Sequence, residues 1–222
     1  MSRIVVGVTG ATGTVLAVRV LRGLRAAGVT THLVLSRWAR ATLALETDLA
    51  VADLTALADH VHAEGDLAAP IASGSFRTDG MVIVPCSMKT LAAVRAGYGE
   101  GLIPRAADVT LKEGRRLVLV TRELPLSVIH LENMLALARM GAVIAPPSPA
   151  FYTRPGTLDE VVTHIAARVL DQFGLDLAGA PRWTGKPRVN GHAPAAAAGR
   201  GDPAPNPAAG GFAGSGDVRS AP

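Results

Sequence analysis

Three short segments of this 222-residue sequence combine residue types that bind phosphate or move protons. The first, Gly7-Val8-Thr9-Gly10-Ala11-Thr12-Gly13, spaces glycines three apart after an apolar run and before a helical pattern. Glycines at such a turn let a phosphate approach the backbone, and the helix N-terminus offers unpaired N–H donors. A tight turn without a ligand is the competing reading. The second, Pro85-Cys86-Ser87-Met88-Lys89-Thr90, is a hydroxyl-rich turn that again opens a helix. Ser87 and Thr90 can hydrogen-bond a phosphate, a polyol chain or a ring edge, and Lys89 adds positive charge; Ser87 as a plain N-cap competes. The third, Arg122-Glu123, closes a span in which Arg105, Lys112, Arg115, Arg116 and Arg122 bracket a strand-like run. A cation and a carboxylate at a strand's carboxyl end suit a site, and a structural ion pair is the alternative.

Other candidates are narrower. Tyr152, in a Pro-rich loop, and Arg168, interrupting the last helical pattern, are either surface chemistry or a second phosphate site. Cys86, the one cysteine, reads as a buried small hydrophobe and excludes a disulfide framework or a multi-cysteine metal site. His130 and Glu132, two apart on a helix, diverge, so no metal is expected. A nicotinamide dinucleotide site needs an acidic residue at the end of the second strand. That strand ends Leu35-Ser36-Arg37, and no lysine stands four residues after Tyr98 or Tyr152. A mononucleotide fits better.

The elements that must position these residues alternate short β-branched runs with longer helical patterns. Strands are expected at Ile4–Val8, Thr31–Leu35, Met81–Val84, Leu117–Thr121 and Ala142–Ala145. Helices are expected at Thr12–Ala27, Trp38–Leu45, Ala50–Ala58, Thr90–Ala96, His130–Arg139 and Leu158–Phe173. Five parallel strands covered on both faces make an α/β, Rossmann-like or flavodoxin-like three-layer sandwich with ligands beyond the strands' carboxyl ends. Residues 186–222 hold 10 Ala, 7 Gly and 6 Pro in 37 positions and read as a disordered tail. That leaves one domain over residues 1–185. The formal charge is +4. Half of it falls on the tail, and no aromatic residues interleave with a basic stripe, so nucleic acid is not indicated. Nor is export or membrane spanning, and the cytoplasm is the expected location.

As a set the motifs resemble the UbiX-type flavin prenyltransferases, including the closely similar accessory proteins of phenolic acid decarboxylases. The matching segments are GVTGATG (7–13), LETDLA (45–50), ASGS (72–75), PCSMKTLAAV (85–94), LIPRAADVTLKE (102–113), RLVLVTRELPLSVIHLENML (116–135) and GAVIAPPSPAFY (141–152). The resemblance implies a metal-independent enzyme that transfers a dimethylallyl group from dimethylallyl monophosphate to reduced FMN. Its product, prenylated FMN, serves UbiD-type decarboxylases. It implies FMN contacts at Gly10, Ala11, Thr12, Ser36, Ser87, Met88, Lys89, Thr90 and Arg105. Prenyl-phosphate contacts fall on Lys112, Arg122, Glu123, Tyr152 and Arg168, with Glu46 a further polar group near the reacting centre. Lys112, Arg122 and Arg168 would stabilise the departing phosphate, and Glu123 would manage a proton. A homododecamer with Tyr152 and Arg168 supplied by neighbours is also implied.

This sequence departs from the family pattern at Thr12, where Ser is common, and at Gly101 and Gly114, which loosen loops beside the site. Two alternatives stay open. One is an FMN-dependent peptidyl-cysteine decarboxylase, although residues 12–28 lack that group's histidine. The other is a non-catalytic FMN carrier for a decarboxylase.

Overall fold

The structure, a computed structural model, describes residues 2–185. Met1–Arg182 fall in one compact unit, and of the second, beginning at Trp183, only residues 183–185 are described. The expected tail at 186–222 lies outside the described residues.

The chain runs β1 (Arg3–Val8), α1 (Thr14–Ala26), β2 (Thr30–Leu35), α2 (Arg37–Glu46), α3 (Val51–Thr55) and β3 (His60–His62). It continues with β4 (Gly80–Cys86), α4 (Met88–Ala96), α5 (Leu102–Lys112), β5 (Arg116–Thr121), α6 (Val128–Arg139), β6 (Val143–Ile144) and α7 (Leu158–Leu170). The strands form one sheet in the order β3-β2-β1-β4-β5-β6, and every pairing is parallel. The expected three-layer α/β sandwich is therefore present with six strands.

Side-chain alternation along each strand divides the core between the two faces. Ile4, Val6, Val82, Val84, Val118 and Val120 point toward α1 and α7, whose Leu21, Leu24, Ala166 and Leu170 are fully buried. Val5, Met81, Ile83, Leu117 and Leu119 point toward α4, α5 and α6 and meet Leu91, Ile103 and Leu137. Burying one such aliphatic side chain contributes about 1.5–3 kcal/mol, so both helical layers are strongly held.

Two elements escape the sequence reading. Helix α5 buries Leu102, Ile103, Ala106, Ala107, Val109 and Thr110 as a helical stripe. Pro104 sits in its first turn, where its missing N–H costs nothing. Strand β3 has only three residues, His-Val-His, at the sheet edge. Its His62 Nε2 lies 2.9 Å from Nδ1 of buried His32, and the His60 ring stacks on His32 with centroids 4.5 Å apart. Burial and the neighbouring His60 and His62 lower the His32 pKa to about 4. The helix expected from Thr12 begins at Thr14 because Gly13, at φ 110°, turns the chain into it.

Candidate active site

Strand order reverses between β1, which continues toward β2, and β4, which continues toward β5. Loops leaving neighbouring strands in opposite directions there open a crevice at the carboxyl edge. The two motif loops meet at this point. Thr9 Oγ1 donates to Pro85 O (2.8 Å) and accepts from Ser87 N (2.8 Å), locking the glycine loop to the hydroxyl-rich turn. Arg122 N donates to Cys86 O (3.2 Å), placing the Arg122-Glu123 pair beside the same turn. An open crevice of about 840 Å³ lies above, lined in part by Gly10, Ser36, Ser87, Lys89 and Thr90. Trp38, Glu64 and Tyr98, which sequence reasoning missed, line it too.

Four helices open near this crevice, α5 among them through Gly101, Ile103 and Pro104, and the N-termini of α1, α2 and α4 differ. At α1 the Glu46 carboxylate accepts from Gly13 N (2.9 Å) and Thr14 N (2.8 Å). A carboxylate therefore already meets the Gly13 and Thr14 amides and would repel a second anion at those two donors. Glu46 thus caps α1 through both of its oxygens. At α2 the Glu64 carboxylate accepts from Arg37 N (2.9 Å). At α4, Ser87 Oγ accepts from Thr90 N (3.3 Å) and lies 3.1 Å from Thr90 Oγ1. The N-cap reading of Ser87 thus holds, and Ser36 caps α2 in the same way by accepting from Ala39 N (3.1 Å). The amides of Met88 and Lys89 meet no acceptor among the described residues, and Lys89 is exposed beside them. Of the three, α4 is the anion-receptive end.

The glycine loop has a packing role as well. A Cβ on Gly10 would collide with Trp38 Cβ and stand 3.2 Å from the Trp38 backbone. Glycine is required for α2 to approach, whether or not a ligand lies there. Beyond it, the amides of Gly10 and Thr12 meet no acceptor among the described residues, while Ala11 N donates to Thr9 O (2.9 Å). Met88 turns its side chain onto the core on the α4 face. Cys86 is fully buried, and burial pushes its thiol pKa up to about 12, so it is no nucleophile.

Arg122 and Glu123 are exposed past the end of β5, and no ion pair joins them among the described residues. Glu123 Oε1 accepts from Leu124 N (3.2 Å). Arg105 does not line the crevice within this chain: its Nε donates to Ala72 O (3.1 Å) and its Nη1 pairs with Asp108 (2.9 Å). Lys112 lies at the end of α5, just before β5 begins, and pairs with Glu113. The length of β5, about 20 Å, separates it from Arg122. Arg168 is ten residues along α7, pairs with Asp171 and is exposed. Tyr152 lies in the turn before α7, with its hydroxyl 3.4 Å from His164 Nε2. Within one chain Gly10, Ser36, Ser87, Lys89 and Thr90 line the crevice; Arg122 and Glu123 follow β5 next to the Ser87 turn without lining the crevice, and Arg105, Lys112, Tyr152 and Arg168 lie elsewhere.

Comparisons with known proteins place this arrangement. The Flavoprotein family profile matches residues 1–170. A probable UbiX-like flavin prenyltransferase of Streptomyces sp. (strain D7) is 64% identical over 184 residues, covering 82% of this chain and 92% of the relative. The crystal structure of AnUbiX in complex with FMN and dimethylallyl pyrophosphate is 55% identical, with a TM-score of 0.83 over 84% of this chain and 99% of that one. A dodecameric FMN-dependent UbiX-like decarboxylase from Escherichia coli O157:H7 is 61% identical, with a TM-score of 0.81 over 82% and 100%. A peptidyl-cysteine decarboxylase, at 12% identity and a TM-score of 0.52, shares the fold alone. With these identities over nearly the whole described chain, the protein belongs to the UbiX-like flavin prenyltransferases of the flavoprotein family.

Proposed function

We propose that this protein transfers the dimethylallyl group of dimethylallyl monophosphate to N5 and C6 of reduced FMN, giving prenylated FMN for a UbiD-type decarboxylase. The observation that carries the reading is the 55–64% identity to flavin prenyltransferases over 183–188 residues, joined to a switch-point crevice of mononucleotide size. The crevice residues fit FMN. The Met88 and Lys89 amides and the Lys89 ammonium suit its single phosphate, and the Ser36, Ser87 and Thr90 hydroxyls suit its ribityl chain. Reduced FMN supplies the nucleophilic ring atoms that accept the five-carbon group.

The remaining work falls to the chain's own groups. Arg122, without a carboxylate partner among the described residues, is available to neutralise charge as the allylic C–O bond breaks and phosphate leaves. Glu123, one residue on, holds or accepts a proton at that phosphate or beside the flavin. Lys112, Tyr152 and Arg168 complete the phosphate cage from neighbouring copies in a homododecamer, and Arg105 turns toward the FMN there. Their separation from Arg122 within one chain supports a site shared between copies. Positioning and electrostatics then supply the acceleration with no metal. Residues 1–185 form the catalytic domain in this reading.

Among the described residues no helix is long and apolar enough to cross a membrane. A cytoplasmic setting is consistent with a chain whose one cysteine is the buried Cys86.

The test is anaerobic incubation of purified protein with reduced FMN and dimethylallyl monophosphate, followed by mass analysis of the extracted flavin. A gain of one five-carbon unit is expected. Tightly bound but unmodified FMN would overturn the reading in favour of a carrier.

A further inference from the structure

Helix α7 carries a buried histidine that the transfer reaction does not call for. His164 is 7% exposed on α7, whose other buried residues, Val162, Ile165, Ala166, Ala167, Val169 and Leu170, are all apolar. An aromatic hydrocarbon would pack there without desolvating two nitrogens. Its Nδ1 is buried with no partner among the described residues. Its Nε2 lies 3.4 Å from Tyr152 Oη, and the two rings meet edge to face at 88° with centroids 6.0 Å apart. Arg168 follows four residues later, on the same face of the helix.

The orphaned nitrogen settles which way the bond runs. A neutral imidazole carries one N–H. On Nδ1 it would be a buried donor with no acceptor, the rarer and costlier defect; on Nε2 it is satisfied, and Nδ1 keeps only an unpaired lone pair. Nε2–H therefore donates to Tyr152 Oη. That direction matters because phosphate oxygens are acceptors, so a tyrosine binding phosphate must donate its own hydrogen. A histidine accepting from Tyr152 would consume that hydrogen.

We infer that His164 is a positioning residue: by donating to Tyr152 it fixes the phenol as a donor toward the phosphate of the prenyl substrate. The inference rests on the prenyl-transfer reading, which brings that phosphate to Tyr152.

The test reads binding apart from chemistry, by calorimetric titration of dimethylallyl monophosphate into the full-length protein loaded with oxidised FMN. Tyr152→Phe and His164→Phe are each expected to weaken binding about tenfold, and the double variant no further, since both remove one hydrogen-bonded unit. His164→Gln places an amide N–H where Nε2–H stands and is expected to restore binding to within about threefold. FMN affinity and melting temperature stay at wild-type values in His164→Phe. Wild-type binding by His164→Phe, or losses that add in the double variant, would overturn the role. Should His164→Phe melt early, Tyr152→Phe decides: unchanged binding there overturns it equally. A wild-type protein that binds the compound but never prenylates reduced FMN defeats the prenyl-transfer reading while the affinities still judge His164. A wild-type protein that does not bind it defeats both.

Discussion

Lys112 and Arg122 stand at opposite ends of β5, the first paired with Glu113 and the second donating its backbone N–H to Cys86 O. If both act on one phosphate, the lysine at each site comes from a different copy than the arginine. Removing either cation deletes a charge-assisted contact to the leaving group, for which a loss of about 10²–10³ in rate is expected. Two such variants, Lys112→Ala and Arg122→Ala, co-expressed in equal amounts and assembled together, should recover activity. Each site draws its lysine from one copy and its arginine from another, so about a quarter of the sites receive both intact residues when assembly is random. The assay is the mass-detected gain of a five-carbon unit on reduced FMN under anaerobic conditions, with each variant assembled alone as the baseline. Recovery near one quarter of wild type supports the shared site. Activity no higher than the two baselines would show that both cations act from the same copy, and full activity of Lys112→Ala alone would remove that lysine from the site.

Glu123→Gln keeps the shape of the side chain but not its proton transfer, and prenylation is expected to fall about 10²–10⁴-fold; unimpaired single-turnover transfer would end the proposed role. Gly10→Ala forces α2 away from the glycine loop at Trp38 and should cost about 1–3 kcal/mol in denaturant unfolding, together with weaker FMN retention. A variant as stable as wild type would show that the loop yields freely. His32 is held neutral in the fold, with its pKa lowered from 6.5 to about 4. A base with a depressed pKa stabilises the fold fully above its ordinary value and loses that contribution as pH falls from about 6.5 toward 4, up to about 3 kcal/mol here. Arg3, His60 and His62 add to the depression, and Asp59 opposes it. Unfolding free energies at pH 7 and pH 4.5 should diverge less in His32→Gln than in wild type, and equal slopes would assign the acid sensitivity elsewhere.

The layered fold was legible wherever a face repeats. Ile4–Val8 and Leu117–Val120 are apolar throughout because both faces are covered, and α1 and α7 carry their stripes plainly. Helix α5 was hidden by Pro104, which reads as a breaker unless it is known to fall in a first turn. Strand β3 was hidden because three residues, two of them histidines, carry no period. At the site, the meeting of the glycine loop with the Ser87 turn followed from both loops leaving adjacent parallel strands. The Glu46 cap on α1 was not legible, since it joins positions more than thirty residues apart through a side-chain rotamer. His164 was likewise visible only as a histidine one turn before Arg168, and nothing in the spacing pointed it at Tyr152.

The two carboxylates that meet the first amides of α1 and α2 also bear on what the protein refuses. A dinucleotide laid across this sheet in the usual manner would rest its pyrophosphate on the α1 amides, where Glu46 already stands. Its second nucleotide would run toward α2, where Glu64 stands. Each negative charge acts as a gatepost against a ligand that carries anions along its whole length, while α4 admits one with a single anion at its tip. Under the proposed function, a glycine loop that by itself would have suited nicotinamide dinucleotides thereby disfavours them and leaves the crevice to a mononucleotide.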